Sequence, residues 1–223
     1  MLTGDPMHAV FSDEMPSGMV RRYCVLSGPN LAKEVLAGKP ASTVVASADL
    51  DGARRVQRLL MSPRFRVYTN DDVIGVELAG ALKNIIALGS GICDGLDYGD
   101  NAKAAFITRG LAEITRLGVK AGANPLTFAG LAGLGDVATT CFSPLSRNRF
   151  VGEELAKGRT LDNILGSMDN VAEGVQTTAA ALRLARRLGV EMPIVEVTNE
   201  ILFEGLELSE AVARLMGRPP RSE

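Results

Sequence analysis

The stretch GVELAGALKNIIALGSGIC, residues 75–93, is almost entirely small or aliphatic, yet it carries Lys83 near its middle with Asn84 beside it. Residues 73–93 are about long enough to cross a bilayer. Glu77, Lys83 and Asn84 argue against a membrane span, because a charge at the centre of a membrane helix costs roughly 3 kcal/mol. The stretch therefore predicts a central helix that is buried on all sides within a soluble helical bundle.

The composition disfavours several classes of function. With 24 Lys and Arg against 26 Asp and Glu in 223 residues, the chain has no basic run that can follow a phosphate backbone, so nucleic acid is not expected as a partner. The single histidine, His8, leaves Ser-His and Cys-His catalysis without candidate geometry and zinc with too few ligands. Three widely spaced cysteines and a start without an export signal predict a cytoplasmic location.

The first third of the chain alternates short β-rich runs with helical stretches. The runs RRYCVLS, STVVAS and FRVYT predict a βαβ pattern, with strands at 22–27 and 42–47 that expose an unpaired edge. Asn30 is expected to cap a helix over residues 31–37, and Asp49 or Asp51 the next helix. This part is too small for a complete nucleotide-binding sheet, so it is predicted to be the tail end of one.

The rest of the chain predicts long helices. They are expected over residues 101–121 and 172–188, with a final amphipathic stretch over 193–216. The predicted fold is therefore an α/β remnant of a Rossmann-type domain, residues 1–72, followed by an all-α helical C-terminal domain, residues 73–223.

Two glycine patterns are similar to the fingerprint of a dinucleotide-binding loop. Residues 89–95 nearly fit it and residues 133–138 match G-x-G-x-x-A, but the fingerprint has meaning only between a strand and a helix. The first pattern continues the apolar helix, where small residues permit close packing, and the second follows a stretch, NPLTFAGLAG, that is expected to be a loop. Neither pattern is assigned to a cofactor phosphate.

Lys83 needs a compensating group, because burying an unpaired ammonium costs several kcal/mol. One interpretation is structural, with a salt bridge to Glu77 or a side chain that reaches the helix surface. The functional interpretation is a desolvated lysine in a cleft that gives and takes a proton near neutral pH. Asp136 is either a loop aspartate without a role or the counter-ion of Lys83.

The stretch of residues 130–155 is dense in polar side chains. Ser146, Arg147 and Asn148 lie just ahead of a helix expected to begin near Phe150. A guanidinium with hydroxyl and amide donors near a helix N-terminus suits an anion such as phosphate. The alternative interpretation of the same three residues is an ordinary helix cap.

Six motifs, taken together in their order, resemble those of the bacterial NAD(P)-dependent glycerol-3-phosphate dehydrogenases. They are 27–34 (SGPNLAKE), 77–84 (ELAGALKN), 99–104 (GDNAKA) with 108–110 (TRG), 130–136 (GLAGLGD), 146–148 (SRN) and 171–174 (VAEG). The resemblance covers about residues 22–217. It implies reduction of dihydroxyacetone phosphate to sn-glycerol 3-phosphate with NAD(P)H, for phospholipid synthesis, by a Rossmann domain and a helical domain.

The resemblance also implies roles for individual residues. Lys83 corresponds to the proton donor and acceptor, and Asn30 stands where the family usually has Ser or Thr. The implied substrate-binding residues are Gly28, Asn30, Lys83, Asn84, Asp136, Thr140, Ser146, Arg147 and Asn148. The implied cofactor-binding residues are Ala32, Arg147, Val171 and Glu173.

The family's opening strand, its G-x-G-x-x-G loop and a further substrate lysine have no counterpart in this sequence. The chain is therefore expected to be truncated, and to fold its helical part without saturable NADH binding. Two alternatives stay open: a catalytically silent helical domain that binds anions or oligomerises, and a related lysine-dependent hydroxyacid dehydrogenase. A small-molecule substrate and a homodimer are the expected partners, with no metal. The sequence does not show whether NAD or NADP is the preferred cofactor.

Overall fold

The apolar stretch of residues 75–93 forms most of one long helix, as the sequence predicts. The computed structural model describes residues 5–20 and 22–220. Its helices are α1 (Met7–Glu14), α2 (Ser17–Val20), α3 (Ala32–Leu36), α4 (Leu50–Leu60), α5 (Val73–Gly95), α6 (Gly99–Lys120), α7 (Pro125–Ala129), a π-helical turn (Leu131–Gly135), α8 (Asp136–Phe142), α9 (Arg147–Ala156), α10 (Leu161–Gly166), α11 (Glu173–Leu188), α12 (Pro193–Phe203) and α13 (Leu208–Met216). The strands are β1 (Val25–Ser27), β2 (Ala41–Ala46) and β3 (Phe65–Asn70).

Helix α5 is the centre of the helical part. Asp72 caps its start by accepting a hydrogen bond from the Gly75 N–H at 2.8 Å. Every residue from Asn84 to Ile92 is buried, because α6, α8, α9 and α11 pack around the helix. Among the described residues, α5 is the one helix long and apolar enough to cross a membrane, and 67% of its most apolar window is buried in the protein. This packing is that of a buried core helix, as the sequence predicts.

The three strands form one sheet in the order β1-β2-β3. Strand β2 pairs parallel with β3 across α4, which confirms the βαβ pattern there, whereas β1 pairs antiparallel with β2. The first strand is shorter than the predicted 22–27 and lies at an edge of the sheet, as predicted. The second strand is central, so the prediction of an exposed edge is wrong for that strand. Val44 and Ala46 face α5, and Val45 packs with Ala53 of α4.

Two local predictions in this sheet part have different outcomes. Asp49 caps α4 by accepting from the Asp51 N–H at 3.1 Å, as one of the two predicted alternatives requires. The prediction that Asn30 caps α3 is wrong, since the N-cap is Leu31 and no side chain caps it. The Asn30 amide donates to Thr43 Oγ1 of β2 at 2.9 Å.

Three predictions on the helical part need correction. The stretch 193–216 is two helices, α12 and α13, because the chain turns at Gly205, whose φ is +74°. The stretch NPLTFAGLAG is not a loop, since it forms α7, capped by Asn124, and most of the π-helical turn. Helix α9 begins at Arg147 rather than near Phe150, because Ser146 is its N-cap.

Candidate functional site

Lys83 lies in the middle of α5. Its ammonium donates a hydrogen bond to Oδ1 of Asp136, which is the first residue of α8. The Lys83 side chain keeps 20% of its surface exposed, whereas Asp136 is 3% exposed. The carboxylate therefore holds the ammonium at the edge of the core, with one face of the lysine open to a ligand. Of the two sequence interpretations of Asp136, the counter-ion is the one that the structure supports.

The Asp136 carboxylate is itself held by the last residue of β1 and by the glycine that follows it. Its Oδ2 accepts from the Gly28 N–H at 3.2 Å and from Ser27 Oγ at 3.1 Å. Gly28 has φ of +146°, and a Cβ there would lie 3.0 Å from Thr43 Cα. A residue with a side chain at position 28 is therefore strained, and glycine lets the N–H reach the carboxylate. Thr140 completes this cluster by donating from Oγ1 to the Asp136 carbonyl at 2.7 Å.

The predicted alternative partner of Lys83, Glu77, is occupied by other groups. Glu77 Oε2 lies 2.6 Å from His8 Nδ1, and Oε1 accepts from the Tyr23 hydroxyl. Burial, followed by the Glu77 carboxylate, raises the pKa of Tyr23 well above its usual value. The prediction of a salt bridge between Lys83 and Glu77 is therefore wrong. Glu77 instead anchors α1 to α5.

A second cluster surrounds Asn84, the neighbour of Lys83. The Asn84 Oδ1 accepts from Asn148 Nδ2 at 2.9 Å, and Asn148 Oδ1 accepts from the Gly174 N–H at 2.9 Å. A Cβ at position 174 would lie 2.7 Å from the Asn84 carbonyl oxygen, so glycine is required there. Asn84 and Asn148 are both buried, which fixes α5, α9 and the start of α11 relative to one another.

The three predicted phosphate-binding residues have distinct positions. Ser146 is a buried helix cap, since its Oγ accepts from the Arg149 N–H at 3.2 Å. Arg147 is exposed, and among the residues that the structure describes its guanidinium has no hydrogen bond or ion pair. Asn148 belongs to the Asn84 cluster. The helix-cap interpretation is therefore correct for Ser146, while Arg147 remains available to an anion at the start of α9.

The residues that the resemblance assigns to a cofactor lie at helix starts. Ala32 is exposed at the first residue of α3, and Glu173 is exposed at the first residue of α11. Val171 is 65% exposed. Neither glycine pattern stands between a strand and a helix, because residues 89–95 lie in α5 and residues 133–138 lie in the π-helical turn and α8.

The sequence interpretation assigned no function to several residues that build the site. Ser27 and Gly174 belong to two of the six motifs, and this position inside a motif is the feature of the sequence that could have indicated their role in the site. Asp94, Lys103 and Arg149 form a charged cluster near the C-terminal end of α5, and Lys103 is 7% exposed. Within residues 5–20 and 22–220, no group of three or more His, Cys, Asp or Glu side chains is placed to hold a metal ion.

A groove of about 1230 Å³ lies elsewhere, between α6, α12 and α13. None of the predicted site residues lines it. One wall includes Glu113, whose carboxylate accepts from the Ile194 N–H at 3.0 Å and so caps α12. This groove is separate from the candidate site, which is built around Lys83 and Asn84.

Comparison with protein families gives two matches. The model for the NAD-dependent glycerol-3-phosphate dehydrogenase C-terminus matches residues 72–213, and the model for the N-terminus matches residues 2–53. A glycerol-3-phosphate dehydrogenase [NAD(P)+] of Dehalococcoides mccartyi is 55% identical over 214 residues, which are 96% of this chain and 60% of the relative. The corresponding protein of Geobacter metallireducens is 54% identical over 217 residues, 97% of this chain and 65% of the relative.

Solved structures show the same similarity. Glycerol-3-phosphate dehydrogenase of Coxiella burnetii has a TM-score of 0.85 and 42% identity, over 87% of this chain and 60% of that one. The enzyme of Plasmodium falciparum has a TM-score of 0.86 and 25% identity, over 98% of this chain and 62% of that one. The chain thus spans 60 to 66% of the length of the curated relatives that it matches.

Proposed function

Because the chain belongs to the NAD-dependent glycerol-3-phosphate dehydrogenase family, we propose that it carries the substrate site for reduction of dihydroxyacetone phosphate to sn-glycerol 3-phosphate with NAD(P)H. The product is a precursor for glycerophospholipid synthesis. The observation that carries the proposal is the pairing of Lys83 with the buried Asp136, together with an exposed Arg147 at the start of α9, a helix that packs on α5. This pairing presents a proton donor and an anion receptor on neighbouring elements.

Lys83 is the proposed proton donor. NAD(P)H, when bound, supplies the hydride that the carbonyl carbon accepts. The negative charge that then develops on the carbonyl oxygen is neutralised by a proton from Lys83 Nζ, and the reverse reaction returns the proton to the same nitrogen. Asp136 orients the ammonium, and the Gly28 N–H and Ser27 hydroxyl hold Asp136 in place. Thr140 and Asn84 flank the reacting end of the substrate in this proposal.

Arg147 is the proposed anchor of the substrate phosphate. An exposed guanidinium with no partner among the described residues is free to form two parallel hydrogen bonds to a phosphate group. It stands at the first residue of α9, where the backbone N–H groups and the helix dipole favour an anion. Ser146 and Asn148 are assigned as supporting donors, and Gly28 and Asn30 as the opposite wall.

The residues assigned to the cofactor are accessible to a ligand. Ala32 and Glu173 are exposed at the first residues of their helices, and Val171 is an exposed apolar side chain. Arg147 supplies a cation for the cofactor's phosphate charge as well. This set of residues fits one side of a nicotinamide nucleotide, and we propose it as the part of the cofactor site that this chain contributes.

Titration of the chain with sn-glycerol 3-phosphate by calorimetry tests the proposed substrate site. We expect saturable binding that Arg147→Ala weakens, while Lys120→Ala, which removes an exposed cation of α6, leaves it unchanged. Failure of the wild-type chain to bind would contradict the substrate site. NADH oxidation with dihydroxyacetone phosphate is measured in parallel, and turnover would contradict the expectation that this chain does not bind NADH saturably.

Cytoplasm is the proposed location. Cys24, Cys93 and Cys141 are free thiols in the structure, which suits a reducing compartment. A homodimer remains a prediction, which the mass from size-exclusion chromatography with light scattering tests.

A further inference from the structure

Asp94, near the end of α5, joins three helices through its carboxylate. Lys103 Nζ of α6 lies 2.8 Å from each of its two oxygens, and Arg149 Nε of α9 lies 2.6 Å from Oδ2. Lys103 is 7% exposed, and its ammonium also lies 4.7 Å from the centre of the Phe142 ring. The charge of Lys103 is therefore fully compensated inside the protein. Arg149 is the residue that connects α9 to the pair of Asp94 and Lys103.

Helices α5 and α9 meet backbone to backbone. A Cβ at Gly91 would lie 1.9 Å from the Arg149 carbonyl oxygen, and a Cβ at Gly152 would lie 1.9 Å from the Leu88 carbonyl oxygen. Glycines on both helices let the two backbones approach closely at this crossing. The hydrogen bond of Arg149 to Asp94 supplies a directional contact at this crossing.

Asn148 and Arg147 immediately precede Arg149 in the first turn of α9. We propose that Asp94, Lys103 and Arg149 position α9, so that Asn148 reaches Asn84 and Arg147 faces the substrate phosphate. None of the three is assigned to contact the substrate, so they are positioning residues. The part that concerns substrate binding rests on the proposed function, whereas the part that concerns Asn148 does not.

The Gly174 N–H reports directly on the position of Asn148. Gly174 is the second residue of α11, where a backbone N–H has no partner within its own helix. Its hydrogen bond goes to Asn148 Oδ1 at 2.9 Å. If α9 rotates or slides, this amide loses its acceptor while the interior of α11 stays folded, so its hydrogen exchange reports on the contact with α9.

Arg149→Met is the decisive variant, because it removes the link to α9 and leaves Asp94 paired with Lys103 inside the protein. Hydrogen exchange by NMR compares the amide of Gly174 with that of Ala181, in the buried interior of α11. We expect exchange at Gly174 to accelerate at least about 10-fold relative to Ala181. The dissociation constant for sn-glycerol 3-phosphate should rise roughly 10-fold, which corresponds to one charge-assisted hydrogen bond.

Two further variants complete the experiment. Arg149→Lys retains a cation near Asp94 and should show a smaller effect on both measurements than Arg149→Met. Lys157→Met is the matched control, since it removes a cation that pairs with Glu153 and Glu154 at the other end of α9, and it should change neither measurement.

The hydrogen exchange result decides the proposal. Equal acceleration at Gly174 and Ala181 in Arg149→Met, or no change at Gly174, would overturn it, because the first indicates a general loss of stability and the second an undisturbed Asn148. Selective acceleration at Gly174 supports the positioning role even if the wild-type chain binds no sn-glycerol 3-phosphate, a result that would contradict only the proposed substrate site.

Discussion

Glu113 makes the stability of this protein dependent on pH in an unusual direction. Burial raises the pKa of its carboxyl from 4.5 to about 7, although the Ile194 N–H and the Arg116 guanidinium favour the ionised form. The folded protein therefore binds this proton more tightly than the unfolded chain. The resulting stabilisation is fully present below pH 4.5 and is lost as the pH rises through about 7.

The size of the effect follows from the shift. A difference of about 2.5 pKa units corresponds to about 3 kcal/mol in the free energy of unfolding. Glu113→Gln replaces the carboxyl by a neutral group of similar shape that still accepts from the Ile194 N–H. We expect the free energy of unfolding of the variant, relative to wild type, to rise by up to about 3 kcal/mol between pH 5 and pH 8.

Urea unfolding followed by circular dichroism at pH 5, 6, 7 and 8 measures this difference. Subtraction of the wild type from the variant at each pH cancels the titration of all other groups that the two proteins share. Asp169→Asn, which changes an exposed carboxylate between α10 and α11, is the control and should show a nearly constant difference. If the difference in the free energy of unfolding for Glu113→Gln is also constant, or if it falls with rising pH, the argument that burial dominates the pKa of this carboxyl is refuted.

The remaining predictions concern the site and the α5–α9 contact. In any form of the protein that turns over, Lys83→Ala should lower kcat at least 10²- to 10⁴-fold by steady-state assay, and near-normal turnover in a folded variant would show that Lys83 is not the proton donor. Arg147→Lys should raise the KM for dihydroxyacetone phosphate, or the Kd for sn-glycerol 3-phosphate, because a two-pronged guanidinium becomes a point charge; an unchanged value would count against the phosphate anchor. Gly91→Ala should lower the free energy of unfolding by about 3 kcal/mol or more, because its Cβ would lie 1.9 Å from the Arg149 carbonyl oxygen. Gly166→Ala is the comparison in the same denaturation experiment, since nothing lies within 4 Å of its Cβ, and similar stability changes in both variants would contradict the packing argument.

Local signals in the sequence predicted several features that the structure confirms. The apolar run interrupted by small residues predicted α5 as a buried central helix, and Asp49 predicted the start of α4. These features depend on residues within one or two turns of each other, which sequence spacing describes well. Asn30 failed as a predicted cap because α3 begins one residue later than predicted, which makes Leu31 the N-cap.

The partner of Lys83 shows where spacing is insufficient. Glu77 precedes Lys83 by six residues, which places the two side chains on different faces of a helix, whereas helical ion pairs need three or four. Once Glu77 is excluded, however, the sequence alone leaves Asp136 undetermined, because it is 53 residues away and reaches Lys83 only through the packing of α8 on α5. Two of its other donors, Ser27 Oγ and the Gly28 N–H, come from a third element, the end of β1 and the residue that follows it.

The sequence by itself determined the family, the division into a sheet part and a helical part, and the residues with chemical potential, because composition, periodicity and motif order are properties of the chain. Only the tertiary structure decided which of those residues meet. It placed Asn84 against Asn148 and Asp94 against both Lys103 and Arg149. The physical reason is that a helix presents its side chains in a known angular order, while the identity of the element that covers each face depends on how all the helices pack together.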